Sequence, residues 1–303
     1  MIETPTVSVL LTVYNRERYV GASIESVLAQ TCRDFELIVC DDHSTDGTRA
    51  IVDRYARDDR RIRICVNERN LGQFRNRGHA ASLARGRYLK YHDSDDLMYP
   101  HCLETMLRAL EAEPRAAFAL SGSQYWPGGP CPMLLTPKLA YEREFLGSGL
   151  FHLGPAAALF RTDVFRELGG FPLNGIASDY LFWIEACAKV SVLLVSADLF
   201  YYRIHNGQEL SDPSAGAEYA KAARAAWEKL HSPDCPLDAA GREQAKRNFA
   251  YVQARGVFRR LLSGNFASAA AILRFAGLDL AAWLRYLRPP RRTSFAGTPI
   301  ATA

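Results

Sequence analysis

The chain has 303 residues, of which 48% are hydrophobic and 23% charged, with a formal net charge of +4. These values argue against a disordered or fibrous chain and leave one large domain, or one domain with an appendage. Seven scattered cysteines without a Cys-x-x-Cys pair argue against a zinc knuckle or a disulfide framework and fit a reducing compartment. The start, Met1-Ile2-Glu3-Thr4-Pro5, shows no signal peptide, and no apolar run reaches the roughly 18 residues of a spanning helix. A cytoplasmic protein is expected. Charge is uneven: Arg242 to Arg292 holds 11 Lys/Arg and 2 Asp/Glu, leaving 26 against 31 elsewhere, a slightly acidic body with a basic tail region.

In chain order, Val7–Val13 is a near-continuous apolar run, as expected of a strand covered on both faces. Tyr14-Asn15-Arg16-Glu17 breaks it, and Ile24, Val27 and Leu28 recur at helical spacing. Phe35–Cys40 is a second strand ending in Asp41-Asp42. Ser44 to Thr48 then signals the start of a helix through Ile51, Val52 and Tyr55. Ile62–Val66 is a third strand, a helix carries Ala80, Ala81 and Leu83, and Tyr88–Tyr91 is a fourth strand. Pro100–Glu113 reads as a helix and Ala116–Leu120 as a fifth strand. This alternation predicts an α/β fold with a mainly parallel sheet and helices on both faces.

The second half is less regular. Ser121 to Gly149, rich in Gly and Pro, is expected to be a long loop with room for a short hairpin. Ala156–Phe160 is read as a strand, Thr162–Leu168 as a helix ended by Gly169-Gly170, and Tyr180–Lys189 as a helix with Asp179 at its start. Val192–Val195 and Leu199–Arg203 are short strands. From Ala215 the pattern is helical almost to Leu287, and Thr293–Ala303 is expected to be disordered.

In open sheets of this kind, ligands bind beyond the C-terminal ends of the strands. Thr12 and Tyr14, Asp41 and Asp42, and Asp93 and Asp95 all fall at such ends. Acids crowded in Asp93-Ser94-Asp95-Asp96 repel one another unless a cation lies between them, and oxygen ligands favour Mg²⁺ or Mn²⁺. The competing reading is a solvated acidic turn ahead of a helix. The turn after the first strand lacks Gly-x-Gly-x-x-Gly, and no Walker loop occurs, so phosphates must be handled by metal and side chains.

From Thr6 to Ser211 the chain resembles the inverting glycosyltransferases of family 2, with the GT-A nucleotide-sugar fold. The resemblance rests on an ordered set: Val9 to Asn15, Ser26-Val27-Leu28-Ala29-Gln30-Thr31, Phe35 to Thr48, Asn70-Leu71-Gly72, and Ala84-Arg85-Gly86-Arg87-Tyr88. Asp93-Ser94-Asp95-Asp96, Gly169-Gly170-Phe171, Ser178-Asp179 with Trp183, and Tyr202-Arg203-Ile204-His205 complete it. Two departures stand out: Ser178 occupies a position that is often Glu in the family, and Gly72 to Gly78 shortens the usual spacing to Ala-Arg-Asn.

The resemblance up to Ser211, with the helical pattern and the polar end beyond it, gives a division at about residues 120, 212 and 290. Residues 1–120 would be the nucleotide-sugar half and 121–212 the acceptor half of a catalytic domain. Residues 213–290 would be a helical extension, and 291–303 a disordered tail. It implies that Thr12, Tyr14, Asn15, Asp42, Asn76, Asp93 and Ser94 bind the nucleotide sugar, with Tyr14 stacking on the base and Asp42 accepting from it. Asp95, assisted by His205, would ligate the metal, and Asp179 would be the catalytic base. Asp41 would support its turn, and Asp96 would be a structural acid.

One carboxylate at the acceptor can take a hydroxyl proton as the new bond forms, and a single displacement inverts the anomeric centre. Taken alone, Asp179 could instead merely cap its helix. The expected donor is a nucleoside-diphosphate sugar, a UDP-sugar first, and the acceptor a glycan or lipid-linked saccharide of polysaccharide assembly at the cell envelope. A sugar nucleotidyltransferase would need a glycine-rich basic loop after the first strand, and a non-catalytic carbohydrate-binding protein would have no use for the acids. Trp126, Tyr141 and Phe151 suit loop packing or an acceptor groove. Leu278, Leu280, Trp283, Leu284 and Leu287 alternate with arginines in a basic amphipathic pattern. It would lie on an anionic membrane or pack on the body. No nucleic-acid partner is expected.

Overall fold

The computed structural model describes residues 4–121, 131–173, 175, 177–195, 199–205, 215–275 and 298–299. Trp126, the basic amphipathic pattern from Leu278 onward and the expected disordered tail, apart from Thr298 and Pro299, lie outside them.

The first half follows the alternation read from sequence. Strands β1 (Val7–Val13), β2 (Phe35–Asp41), β3 (Ile62–Val66) and β4 (Tyr88–Asp93) are parallel in the spatial order β4-β1-β2-β3. Helices α1 (Val20–Leu28), α2 (Thr48–Asp58) and α3 (Gln73–Ser82) connect them. Adjacent residues on a strand face opposite sides, and each side meets its own helices. Leu10, Ile38, Cys40 and Tyr91 share a core with Ala80 of α3. Val9, Leu11, Leu37 and Val39 share another with Ile24 of α1, Val52 of α2 and Leu103 of α4 (Cys102–Ala112).

One buried polar group ties three strand connections together. Glu36 accepts from Ser8 Oγ (2.6 Å), Arg85 N (2.9 Å), Arg85 Nη2 (2.8 Å) and Arg63 Nη1 (2.5 Å). Gly86 is required beside it, because a Cβ there would lie 2.5 Å from Ser8 N and 2.7 Å from Val7 C.

The second half departs from simple alternation. Strand β6 (Ala116–Ser121) does not join β4. Strand β8 (Ala158–Arg161) lies between them, antiparallel to both, pairing Lys90 with Leu159 and Phe118 with Phe160. Strand β9 (Ser191–Val195) runs parallel to β6, β7 (Met133–Leu135) antiparallel to β9, and β11 (Thr298–Pro299) pairs with β7 at the edge. The expected long loop from Ser121 to Gly149 therefore contains β7 and helix α5 (Pro137–Leu146). Its helix signal is local: Thr136 caps Leu139 N with Pro137 at the first position. Tyr141 and Phe151 of this region are buried and pack edge-to-face, which is loop packing rather than an exposed groove.

Ala156–Phe160 is likewise not one strand: Pro155–Ala157 is a 3₁₀ turn, and the strand starts at Ala158. Helices α6 (Thr162–Glu167) and α7 (Ser178–Cys187) follow. Phe118, Phe160, Phe165, Phe171, Phe182 and Trp183 form one aromatic cluster under them, with Phe160 and Trp183 stacked at 5.8 Å. Helix α8 (Ala215–His231) is separated from α9 (Ala239–Leu262) at Pro233 and Pro236, and Asp238 restarts the helix by capping Gly241 N. Ala226 of α8 and Phe249 of α9 join the main core, and α10 (Phe266–Phe275) packs on α8 and α9 through Ala269 and Ile272. Among the described residues no helix is long and apolar enough to cross a membrane.

Candidate active site

Register places the site. Thr12 pairs with both Cys40 and Asp93, and Val13 pairs with Asp41, so β1, β2 and β4 end at one level. Beyond those ends lies a cleft of about 800 Å³, lined by Thr12, Tyr14, Asn15, Asp42, Asn76, Asp93, Ser94, Asp95 and Asp179 among others. Clefts of roughly 300–1,000 Å³ suit small-molecule ligands. The structure thus gathers every predicted site residue except His205 onto one wall set, and His205 meets that set through Asp95.

The loop after β1 is locked to the loop after β2. Asn15, at a left-handed φ of 50°, receives Thr45 N at 2.8 Å on Oδ1 and donates its own N–H to Ser44 Oγ at 3.0 Å. Asp41 is buried, does not line the cleft, and accepts from Ser44 N and Oγ, which holds its turn. Tyr14 remains 43% exposed at the cleft wall. Asp42 is buried and accepts from Asn67 Nδ2 (2.7 Å), Leu71 N (2.8 Å) and Gly72 N (2.9 Å). A carboxylate offers about four acceptor sites, so one is left for a ligand. Asn76 also lines the cleft, but its amide is partly committed: Oδ1 accepts from Asn67 and Nδ2 donates to Cys40 O.

The acidic turn after β4 has three different environments. Asp93 pairs with Arg77 Nη2 at 2.9 Å. Asp95 Oδ2 faces Arg16 Nε at 3.2 Å and His205 Nε2 at 3.0 Å. Asp96 accepts from Arg203 N at 3.0 Å on Oδ1, while its buried Oδ2 has no hydrogen-bond partner. Burial and the charge on Asp93 push the Asp96 carboxyl up to about 7. A second small sheet delivers the far side: β5 (Leu97–Met98) pairs with β10 (Phe200–Tyr201), which brings Arg203 Nε to Asp95 O at 2.8 Å. Tyr19 stacks on His205 at 4.5 Å, and the Arg203 guanidinium lies over the Tyr19 ring at 5.2 Å.

Asp179 is the second residue of α7, not the residue that precedes it, so it is not the N-cap. Its Oδ1 accepts from Tyr180 N at 2.8 Å, and the carboxylate lines the cleft. Burial raises its pKa, against the opposing pull of the Tyr180 N–H and the Arg77 charge. His152 to Ala157 form a further wall of the cleft. Trp183 Nε1 holds this wall through Leu153 O at 2.7 Å, and fully buried Lys90 donates to Ala156 O.

Sequence reasoning did not assign Arg16, Lys90 or the His152–Ala157 wall to the site. Arg16 directly follows the Tyr14-Asn15 pair that was singled out, and a charged residue at a strand-end break was the available signal. Lys90, a cation inside an otherwise apolar strand, was a second one.

A mainly parallel sheet with one antiparallel strand inserted beside β4, acids at the strand ends and C-terminal helices is the GT-A-like architecture. The profile of Glycosyl transferase family 2 matches residues 8–169, more than half of the chain, and the chain belongs to that family. WfgD of Escherichia coli, a UDP-Glc:alpha-D-GlcNAc-diphosphoundecaprenol beta-1,3-glucosyltransferase, is 41% identical over 101 residues, 33% of this chain and 39% of WfgD. S. aureus TarS 1-349 in complex with UDP-GlcNAc superposes with a TM-score of 0.64 at 22% identity, covering 93% of this chain and 79% of TarS 1-349. The mannosyltransferase PcManGT from Pyrobaculum calidifontis, solved with GDP-Man and Mn²⁺, gives a TM-score of 0.60 at 17% identity, covering 94% of this chain and 79% of PcManGT. At such identities the structural likeness establishes the fold. The chain spans 39%, 62% and 39% of the length of three leading curated relatives.

Proposed function

We propose that the chain transfers a sugar from a nucleoside-diphosphate sugar to a hydroxyl of a glycan or lipid-linked saccharide, with inversion. The observation that carries this reading is one cleft with the acids of the β4 turn on its donor side and Asp179, of raised pKa, on another wall. UDP is the first-choice nucleotide, because relatives and fold neighbours of this chain are described with UDP-sugars. The lipid-linked acceptor comes from the same comparison.

In this reading Tyr14 stacks on the base and Thr12 flanks it. Asp42 accepts from the base through its remaining lone pair, and Asn15 and Asn76 keep the loops around it in place. Asp93 and Ser94 face the ribose and phosphates. Asp93 is kept in register by Arg77. Asp95 Oδ2 and His205 Nε2, 3.0 Å apart, are an oxygen and a nitrogen of the kind Mn²⁺ or Mg²⁺ accepts, and the buried Oδ2 of Asp96 in the same turn has no hydrogen-bond partner. Asp95, with His205, would hold that ion. When bound, it supplies Lewis-acid stabilisation of charge on the leaving diphosphate.

Asp179 accepts the proton of the acceptor hydroxyl as that oxygen attacks the anomeric carbon. Its depth in the cleft raises its basicity towards the operating pH, which favours general-base work. The segment held by Trp183 and Lys90 would border the acceptor side. Cytoplasmic placement, with a contact to an anionic membrane made by the basic residues up to Arg292, belongs to the same proposal. A screen of UDP-, GDP- and dTDP-sugars by released nucleoside diphosphate tests it. Metal-dependent release with one donor class supports the reading; no release and no metal-dependent nucleotide binding refutes it.

A further inference from the structure

Behind the wall that holds Asp42 lies a group of side chains unlike the oxygen-rich cleft. Cys40 of β2 and Cys65 of β3 are paired in register, and both face α3, where His79 meets them. Cys40 Sγ is 4.0 Å and Cys65 Sγ 3.9 Å from His79 Nδ1, and Cys65 Sγ is 3.8 Å from Nε2. Ligand atoms from the three residues all lie within 4.8 Å of one another. Both cysteines are free thiols. A tetrahedral ion with sulfur at about 2.3 Å and nitrogen at about 2.0 Å separates its ligands by roughly 3.5–3.8 Å. The atoms of the group therefore lie within about 1.3 Å of the separations such an ion imposes.

The histidine tautomer is set by its neighbour. Asn67 Nδ2 is taken by Asp42 Oδ1 (2.7 Å) and Asn76 Oδ1 (2.9 Å), which turns Asn67 Oδ1 towards His79 Nδ1 at 2.7 Å. An amide oxygen only accepts, so Nδ1 carries the proton and Nε2, 3.8 Å from Cys65 Sγ, keeps its lone pair; Cys40, which meets the ring at Nδ1, would have to turn towards Nε2 to share an ion with it. A ring nitrogen tied to an oxygen while the other is free is how a metal-binding histidine is held. Cys65 and His79 are half-buried, so the group is not sealed from solvent. Two sulfurs and one imidazole select a soft or borderline ion over Mg²⁺ or Mn²⁺.

We propose that Cys40, Cys65 and His79 form a second metal site, for Zn²⁺ or an ion of like softness, separate from the carboxylate site at Asp95. On binding, each thiol gives its proton to solvent and each sulfur donates a lone pair to the ion, so affinity rises with pH. The site stands one side chain behind Asp42, through Asn67.

The test is a titration of the untagged full chain with Co²⁺ under a phosphine reductant, followed by Zn²⁺. The site predicts thiolate-to-cobalt charge-transfer absorption with tetrahedral d–d bands at one equivalent, bleached by Zn²⁺. Cys65→Ser and His79→Gln should each weaken Co²⁺ binding at least about tenfold. Cys32→Ser and Asp95→Asn should leave the bands unchanged. Absence of the charge-transfer band in the wild type, or its survival in both C65S and H79Q, would overturn the site. Melting curves check that each variant is folded, and H79Q carries the test if C65S is not.

Discussion

His205 Nε2 lies 3.0 Å from Asp95 Oδ2, joining residues 110 apart in sequence. The contact is built by β10 pairing with β5 and by Tyr19 stacking on the imidazole. In the proposed enzyme His205 orients or shares the metal carboxylate. His205→Ala should therefore weaken metal-dependent UDP binding by about 10- to 100-fold, with little change in metal-free nucleotide binding. Calorimetric titration with UDP, with and without Mn²⁺, measures both; equal affinities for variant and wild type would remove His205 from the site.

Asp179→Asn keeps shape and loses the base. Turnover should fall by about 10²- to 10⁴-fold while donor binding is retained. Burial raises the pKa of Asp179, so the base is protonated at a higher pH than an ordinary aspartate, near 3.9. The acid limb of kcat/KM should lie above that value, with activity lost as pH falls through it. A limb unchanged in a residually active Asp179→Asn enzyme would assign the titration elsewhere.

Asp96 makes a stability prediction. Its carboxyl is pushed up to about 7 by burial and the charge on Asp93. Between about 4 and about 7 the folded protein then holds a proton that the unfolded chain has released, so stability without divalent ions falls as pH rises through that window. Thermal melts in chelator should show this slope, and Asp96→Asn should flatten it. Added Mn²⁺ should restore stability at the upper end if the turn holds the cation.

Glu36 behaves in the opposite sense. Burial alone would raise its pKa, but Ser8, Arg63 and Arg85 outweigh it and hold the carboxyl below its usual range. Its stabilisation is present above the ordinary carboxylate pKa and is lost as pH falls through the folded value. Arg63 and Arg85 keep partial solvent access, so Glu36→Gln should cost about 2 kcal/mol rather than the full penalty of a sealed pair. Denaturant unfolding at neutral and acid pH should show that difference shrinking towards acid.

The sequence alone determined the elements whose physics is local. Val7–Val13 and Phe35–Cys40 are strands because continuous β-branched and aromatic residues suit a sheet covered on both sides. Period and turn chemistry placed α1 to α4, and strand-end position singled out Thr12, Asp42 and the Asp93–Asp96 turn. Long-range order was beyond such reasoning. The insertion of antiparallel β8 beside β4 is chosen by packing of Phe160 against Phe118 and Trp183, not by any signal within Ala158–Arg161. Likewise Arg16 reaches Asp95 across 79 residues and His205 reaches it across 110. Tertiary structure alone decided those meetings, because a charge in a loop is paid for by whichever opposite charge the fold brings near.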